Sequence, residues 1–106
     1  MPALKSHPLV RIDLQTAFDW YEDERPGLGH EFQKEFHSAY QKLPKNAQLY
    51  AVRFSEIRRL NLDRFNYGIF YIIRAGEIWV LAVLHGSRAT KSILQERRKT
   101  FLPRKM

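Results

Sequence analysis

Four side chains in this sequence have the types that cleavage of RNA without a metal ion requires. Such cleavage needs a base for the 2′-hydroxyl proton, an acid for the leaving oxygen and cations that stabilise the crowded phosphate. Glu56 or His85 could carry protons, and Arg59 and Arg88 could hold the phosphate. His85 and Arg88 directly follow a predicted strand, which indicates a site at an edge of a sheet. A lone histidine that ends a strand is, however, more often a structural hydrogen-bonding residue.

The charge of the chain is large and unevenly distributed. Lysine and arginine number 18 against 11 acidic residues, which gives a net charge of +7 and favours a polyanionic or acidic partner. Residues 13–35 hold seven acidic and two basic side chains, residues 42–74 hold seven basic and two acidic ones, and residues 88–106 hold seven basic and one acidic. The net negative charge of residues 13–35, which would have to supply its helices, argues against a DNA-reading helix-turn-helix. We expect the basic run at residues 97–99 to be solvated.

Composition places the chain among globular proteins. Its 106 residues are 44% hydrophobic and 27% charged, which predicts one domain, residues 1–106, with its own core. Cysteine is absent, which excludes a disulfide scaffold, a thiol nucleophile and thiolate metal sites. No stretch is apolar enough for a membrane helix, and the start lacks the order of a signal peptide. We expect a soluble cytoplasmic protein with no membrane partner, no cofactor and no metal.

Two amphipathic helices are predicted in the first half of the chain. Ser6 or His7 is the expected cap of the first helix, with Pro8 in its first turn. Apolar residues then recur at helical spacing until about Glu24, and Trp20 falls outside this stripe. The stripe is Val10, Leu14, Ala17, Phe18 and Tyr21.

The second helix follows a Pro-Gly-Leu-Gly turn at residues 26–29. Its apolar positions run from Leu28 to Leu43, and we expect it to stop at Pro44. Two such helices joined by a tight turn form an antiparallel hairpin.

Short apolar and β-branched runs in the second half predict strands. They cover Ile57–Leu62, Tyr67–Arg74 and Glu77–His85, with a tight hairpin at residues 75–76 and a short strand at residues 3–6. The strands at residues 67–74 and 77–85 are apolar at nearly every position and should be covered on both faces. A short helix is predicted at residues 92–99. The predicted fold is α+β: an N-terminal strand, an antiparallel helical hairpin packed on one face of a small, mainly antiparallel sheet, and a short C-terminal helix.

An ordered set of motifs between about residues 4 and 90 resembles the ParE branch of the RelE/ParE superfamily. The motifs are Asp13-Leu14, Trp20-Tyr21-Glu22, Pro26-Gly27-Leu28-Gly29, Phe32, Arg58-Arg59-Leu60, Arg64-Phe65-Asn66-Tyr67, Tyr71, Ile78, Val80 and Ala82-Val83-Leu84-His85-Gly86-Ser87-Arg88. Asn66 stands where the family usually has proline, which implies a looser turn. Ile93 and Leu94 stand where members often carry a tryptophan.

The resemblance implies a toxin of a type II toxin–antitoxin module, also called a plasmid stabilisation protein, that a small cognate antitoxin neutralises in a hetero-oligomer. ParE-like members act on DNA gyrase, whereas RelE-like members cleave mRNA in the ribosomal A site. RelE-like nucleases tend to add a tyrosine near the terminal histidine or arginine, and no tyrosine or histidine follows His85 here. We therefore expect a ParE-like protein that inhibits gyrase and has no nuclease activity of its own. The alternatives are a ribosome-dependent endoribonuclease and a non-toxic nucleic-acid-binding module.

Two sets of contact residues follow from this interpretation. The expected target contacts are Arg59, Arg64, His85 and Arg88. The expected antitoxin contacts are Trp20, Arg58 and Arg74. An acidic, amphipathic antitoxin helix would gain association rate from the opposite charge.

Overall fold

The computed structural model describes residues 3–101, which form a five-stranded sheet with helices on both faces. The elements are β1 (Leu4–Ser6), α1 (Val10–Glu24), α2 (Leu28–Asn46), β2 (Val52–Phe54), β3 (Ile57–Asn61), β4 (Tyr67–Arg74), β5 (Glu77–His85) and α3 (Lys91–Phe101). The strand order is β1-β5-β4-β3-β2. β1 runs parallel to β5 and the other pairs are antiparallel. No helix in residues 3–101 is long and apolar enough to cross a membrane.

The turn between α1 and α2 gives a physical reason for the Pro-Gly-Leu-Gly motif at residues 26–29. Gly27 has φ +91°, a conformation that glycine adopts without steric cost. The Glu22 carboxylate accepts hydrogen bonds from the backbone N–H groups of Gly27 at 2.8 Å and Gly29 at 2.9 Å. A β-carbon on Gly29 would lie 2.7 Å from the Phe18 carbonyl oxygen. Glu22 and the two glycines therefore fix the angle of the helical hairpin.

The start of α1 differs from the prediction. The helix begins at Val10 with Leu9 in the capping position, and no side chain caps it there. The His7 Nδ1 atom instead accepts a hydrogen bond from the Leu9 N–H at 3.0 Å, and Pro8 precedes the helix. The predictions that Ser6 or His7 caps the helix and that Pro8 lies in its first turn are therefore wrong.

The end of α2 also differs, because the helix continues through Pro44 to Asn46. The proline removes one backbone donor, but Leu43 and Ala47 on either side of it are buried in the core. The hydroxyl of Tyr71 donates a hydrogen bond to the Ala47 carbonyl, and burial raises the pKa of Tyr71 to about 12. Tertiary packing thus holds the last turn of the helix past the proline.

The strands agree with the prediction except at one edge. The predicted bounds of β4 and β5 are confirmed, β3 ends one residue early at Asn61, and β2 was not predicted. Two residues between β2 and β3, Ser55 and Glu56, have positive φ, as do Ala75 and Gly76 in the hairpin between β4 and β5.

The two central strands are buried on both faces, as predicted. The helical hairpin covers one face over a core that includes Phe32, Tyr71 and Val80. The short α3 covers part of the opposite face, where Leu94 packs with a second cluster that includes Leu81. The prediction that helices cover one face holds for α1 and α2 and misses the position of α3.

Candidate functional site

The four predicted target contacts lie at one end of the sheet. β3 ends there at Asn61, which pairs with Gly68, and β5 ends at His85, which pairs with Tyr67. We call this end, residues 61–67 and 85–88 with the side chains of Arg53 and Arg59, the open end. Two grooves lie on it and share Tyr67. The structure therefore brings Arg59, Arg64, His85 and Arg88 to one region, divided between two grooves.

One of the two grooves, which we call the arginine groove, has a volume of about 490 Å³. Most of its lining is polar, and three of its side chains are arginines. Its residues are Arg53, Arg59, Asn61, Leu62, Asp63, Arg64, Phe65, Asn66 and Tyr67.

Arg59 lies flat across β4 in this groove. Its Nε atom donates a hydrogen bond to the Asn61 side-chain oxygen, and its guanidinium carbon is 5.1 Å from the centre of the Phe70 ring. A β-carbon at Gly68 would lie 2.7 Å from that Nε atom, so glycine provides the space that Arg59 occupies. Burial lowers the pKa of Arg59, and the positive charge of Arg53 lowers it further. Arg59 is therefore a fixed cation with another cation beside it.

Arg64 differs from Arg59 because it has acidic partners. Its Nη2 atom donates to the Glu31 carboxylate at 2.8 Å, and its backbone N–H donates to Glu35 at 3.1 Å. The hydrogen bond from Arg64 is the largest cause that lowers the pKa of Glu31, followed by the one from Arg25. Part of the charge of Arg64 is thus neutralised by α2.

The second groove, which we call the histidine groove, encloses about 250 Å³ between α1, the end of β5 and α3. His85 and Arg88 line it together with Ile12 and Thr16 of α1. The His85 Nδ1 atom accepts a hydrogen bond from the Ser87 N–H at 3.1 Å, so this nitrogen stabilises the turn after β5. Only the other ring nitrogen remains to contact a ligand.

Tyr67 separates the two grooves. It is 7% exposed, and its ring meets that of His85 edge-on with the centres 5.5 Å apart. Burial raises the pKa of Tyr67, and the positive charge of Arg88 opposes this shift. Tyr67 is therefore a mostly buried wall between the two grooves, and its hydroxyl stays protonated over a wider pH range than that of an exposed tyrosine.

A buried ion pair on the floor of the histidine groove was not predicted. Arg97 donates to both oxygens of Asp13, at 2.9 and 2.8 Å, and to the Leu81 carbonyl at 3.0 Å. Asp13 also accepts from the Val83 N–H at 3.0 Å. The prediction that the run at residues 97–99 is solvated is therefore wrong for Arg97, because it attaches α3 to α1 and β5.

The sequence did contain a signal for this pair. Asp13 lies three residues after Val10 and four before Ala17, which places a carboxylate beside the apolar stripe of α1. Arg97 lies three residues after the buried Leu94 on α3. A charged residue at a core-facing position on each of two helices indicates an internal pair.

Glu56 lies far from the open end. It pairs with Arg74 at 2.9 Å and with Arg98 at 3.4 Å, and we call this region the anchored end. Because β4 runs between the two ends, Glu56 and His85 are separated by roughly 20 Å at about 3.3 Å per residue. The structure thus does not bring Glu56 together with His85 and Arg88.

The three predicted antitoxin contacts are also dispersed. Trp20 is 61% exposed on α1, which agrees with its position outside the core stripe. Arg58 donates to the backbone carbonyls of Gln48 and Tyr50, at 3.2 and 2.6 Å, and Arg74 belongs to the anchored end. Only Trp20 among them presents a large free surface.

One exposed row on α1 was not predicted as a contact surface. Ile12, Thr16 and Trp20 follow one another at a spacing of four residues and lie on one side of the helix. Ile12 is 54% exposed and Trp20 is 61% exposed. Ile12 and Thr16 also line the histidine groove. Residues 3–101 contain no group of three or more histidine or carboxylate side chains able to hold a metal ion.

Comparison with known proteins gives one family and one fold. The family model described as the ParE toxin of the type II toxin–antitoxin system, parDE, matches residues 4–90. A solved structure titled the chromosomal ParDE TA system from P. aeruginosa is similar, with a TM-score of 0.70 and 22% sequence identity. The match covers 80% of this chain and 96% of that one. No curated protein matches the chain.

Proposed function

Because the chain belongs to the ParE toxin family of type II toxin–antitoxin systems, we propose that it binds and inhibits DNA gyrase in the cytoplasm until a cognate antitoxin neutralises it. The family supports the role of toxin, and the open end supports a mechanism by binding. No covalent step is required of the toxin, because a protein that holds its target in one state inhibits it by affinity alone.

One observation carries this proposal: the open end gathers cations that have no acidic partner. Arg53, Arg59 and Arg88 form no ion pair with any acidic side chain of residues 3–101. Such cations raise the association rate with an acidic partner and fix its orientation. Arg64 and His85 also belong to the open end, and we propose them as further contacts of the target.

The ribosomal alternative is less well supported by the same region. Its proton carriers would have to stand near Arg59 and Arg88. Glu56 is at the anchored end, and one ring nitrogen of His85 is occupied by the Ser87 N–H. We therefore propose an inhibitor that lacks nuclease activity.

The antitoxin is proposed to bind along α1. The row of Ile12, Thr16 and Trp20 offers apolar anchors next to the cations of the histidine groove. An acidic, amphipathic helix matches both features, because its apolar side can cover the row while its charges face Arg88. An antitoxin in that position would also cover His85 and so obstruct the target.

The first experiment measures supercoiling by purified gyrase in the presence of the purified chain. The wild type is expected to inhibit supercoiling, and Arg88→Glu is expected to weaken inhibition about tenfold or more, because it reverses one contact charge. Arg11→Glu makes the same charge change on an exposed position of α1 outside the open end, and is the matched control. Normal supercoiling, combined with mRNA cleavage on ribosomes that His85→Ala abolishes, would contradict the proposal and support the alternative.

The second experiment tests neutralisation by the small protein encoded beside the toxin. Co-expression should restore growth, and Trp20→Ala should weaken the complex by about tenfold, as the loss of an aromatic anchor at an interface does. Leu49→Ala is the control, since Leu49 is 77% exposed outside α1. Equal effects of the two substitutions would argue against α1 as the contact surface.

A further inference from the structure

The arginine groove has the properties of a site for a phosphate chain, and we propose that it binds the backbone of duplex DNA. The toxin would then contact the DNA that gyrase holds as well as the enzyme. The identity of that DNA rests on the proposed function, whereas the groove's affinity for phosphodiester groups does not. Nothing in the family match or in the neighbouring fold assigns a ligand to these residues.

The first argument is the unbalanced charge at Arg53 and Arg59. The two guanidinium groups lie close enough for Arg53 to disfavour the charge of Arg59. Neither forms an ion pair with a carboxylate of residues 3–101, although Asp63 lines the same groove. Like charges that line one groove repel each other, and an anion bound between them would offset that repulsion. A bound phosphate would therefore stabilise both side chains.

The second argument is that Arg59 is already fixed in position. Asn61 accepts from its Nε atom, Phe70 lies beneath its guanidinium plane and Gly68 leaves room for its stem. The terminal Nη groups make no hydrogen bond to residues 3–101. A guanidinium held in this way loses little conformational freedom on binding, and its paired donors match the oxygens of a phosphate.

The third argument distinguishes a duplex backbone from bases and from peptides. Single-stranded RNA is recognised largely by stacking its bases on exposed aromatic rings. The aromatic residues of this region are all at most 7% exposed, namely Phe65, Tyr67 and Phe70. An amphipathic peptide would need apolar pockets, and the lining of the groove is mostly polar. Contacts to sugar–phosphate chains need neither rings nor apolar pockets, so sequence-independent binding to a duplex is expected.

The test measures the fluorescence anisotropy of a short labelled DNA duplex titrated with the purified full chain. The wild type should bind with a steep salt dependence. Arg53→Gln/Arg59→Gln should bind about tenfold more weakly or worse, and its slope of log affinity against log salt should be about 2 smaller, because each phosphate contact adds about 0.9. Thermal unfolding of the variant should be unchanged or shifted upward, since a repulsion is removed.

Two further variants separate a site from a general effect of charge. Arg11→Gln/Lys34→Gln removes the same net charge from exposed helix positions and should retain the wild-type affinity. Arg53→Lys/Arg59→Lys keeps the charge but loses the paired donors, and should bind with intermediate affinity. Equal weakening by the two glutamine variants would overturn the proposal, as would tighter binding of single-stranded RNA with the same dependence on Arg53 and Arg59.

Supercoiling assays on the same variants keep this inference apart from the proposed function. If the Arg53 and Arg59 variant binds DNA as the wild type does, the inference fails even where gyrase is inhibited. If the wild type binds DNA through these arginines but leaves gyrase active, the DNA site is supported and the proposed function fails.

Discussion

The two ends of the sheet use arginine for opposite purposes. At the anchored end, Glu56 lies between Arg74 and Arg98 and neutralises part of their charge. At the open end, Arg53 and Arg59 have no such partner among residues 3–101. The same residue type therefore stabilises the fold at one end and remains available at the other. The number of arginines does not distinguish the two ends, whereas the presence or absence of acidic partners does.

Substitutions at the two ends of the sheet should therefore affect different properties of the protein. A substitution at the anchored end or in the buried pair should change the free energy of unfolding, and a substitution at the open end should change affinity. Sites that bind charge often lower the stability of the free protein, because an unpaired cation is repelled by its neighbours.

Arg97→Met should have the largest effect. It leaves the buried carboxylate of Asp13 without its cation, and the expected loss is about 3–5 kcal/mol in urea unfolding. Arg98→Met is the control on the same helix and should cost much less, because its partner Glu56 is more exposed. Similar losses for both substitutions would show that the pair with Asp13 has no special role.

The pH dependence of stability should report on His7, which connects the segment before α1 to α3. Its Nδ1 accepts from the Leu9 N–H and its Nε2 bonds to the Thr100 hydroxyl at 3.0 Å, so the neutral ring is held on both sides. Burial is the largest cause that lowers its pKa, Arg97 adds to this, and Asp13 opposes it.

The sign follows from proton binding. Below pH 6.5, the usual pKa of histidine, the unfolded chain takes up a proton that the folded chain still refuses. The contribution of His7 is therefore complete above about pH 6.5, and is lost as the pH falls toward the lowered pKa, by at most about 1.4 kcal/mol per pH unit. Unfolding of His7→Gln should lack this part of the pH dependence. An unchanged pH profile would contradict the assignment.

Glu56→Gln should have a smaller effect. Both of its ion pairs are partly exposed, so the loss should be about 0.2–1 kcal/mol at low salt and should shrink at high salt. In the supercoiling assay that tests the proposed function, this variant should behave as the wild type does. Loss of inhibition without loss of stability would place the target contact at the anchored end. The anchored end would then be the binding surface.

Arg53→Glu should have the smallest effect on stability, and that effect should be favourable or absent. It replaces repulsion of Arg59 by attraction, so thermal unfolding should move slightly upward. DNA binding in the anisotropy assay should nevertheless fall more than in Arg53→Gln. A marked drop in melting temperature would show that Arg53 supports the fold.

The sequence predicted the fold where local pattern and burial agree. β4 and β5 are apolar at nearly every position, and their bounds were found without error. α2 passed its expected end because the burial of Leu43 and Ala47 outweighs the proline between them. β2 has only three residues and its Val52 is exposed, so neither length nor alternation marked it as a strand.

The sequence named residues that the structure places at one end of the sheet, but it did not predict how they are arranged there. Arg59 and His85 could be named from the sequence, and their division between two grooves depends on which face of its strand each side chain takes. Arg53 and Asn61 were missed because each is unremarkable alone. Their role appears only where the sheet places Arg53 beside Arg59 and leaves both without a carboxylate.

The bond between Asp13 and Arg97 joins residues 84 positions apart, and β1 likewise pairs with β5 across most of the chain. During synthesis, such a contact cannot form until both of its residues have left the ribosome. During translation, the histidine groove therefore lacks its floor until α3 has left the ribosomal tunnel. An antitoxin already present in the cell could therefore contact the exposed row of α1 before this groove has formed.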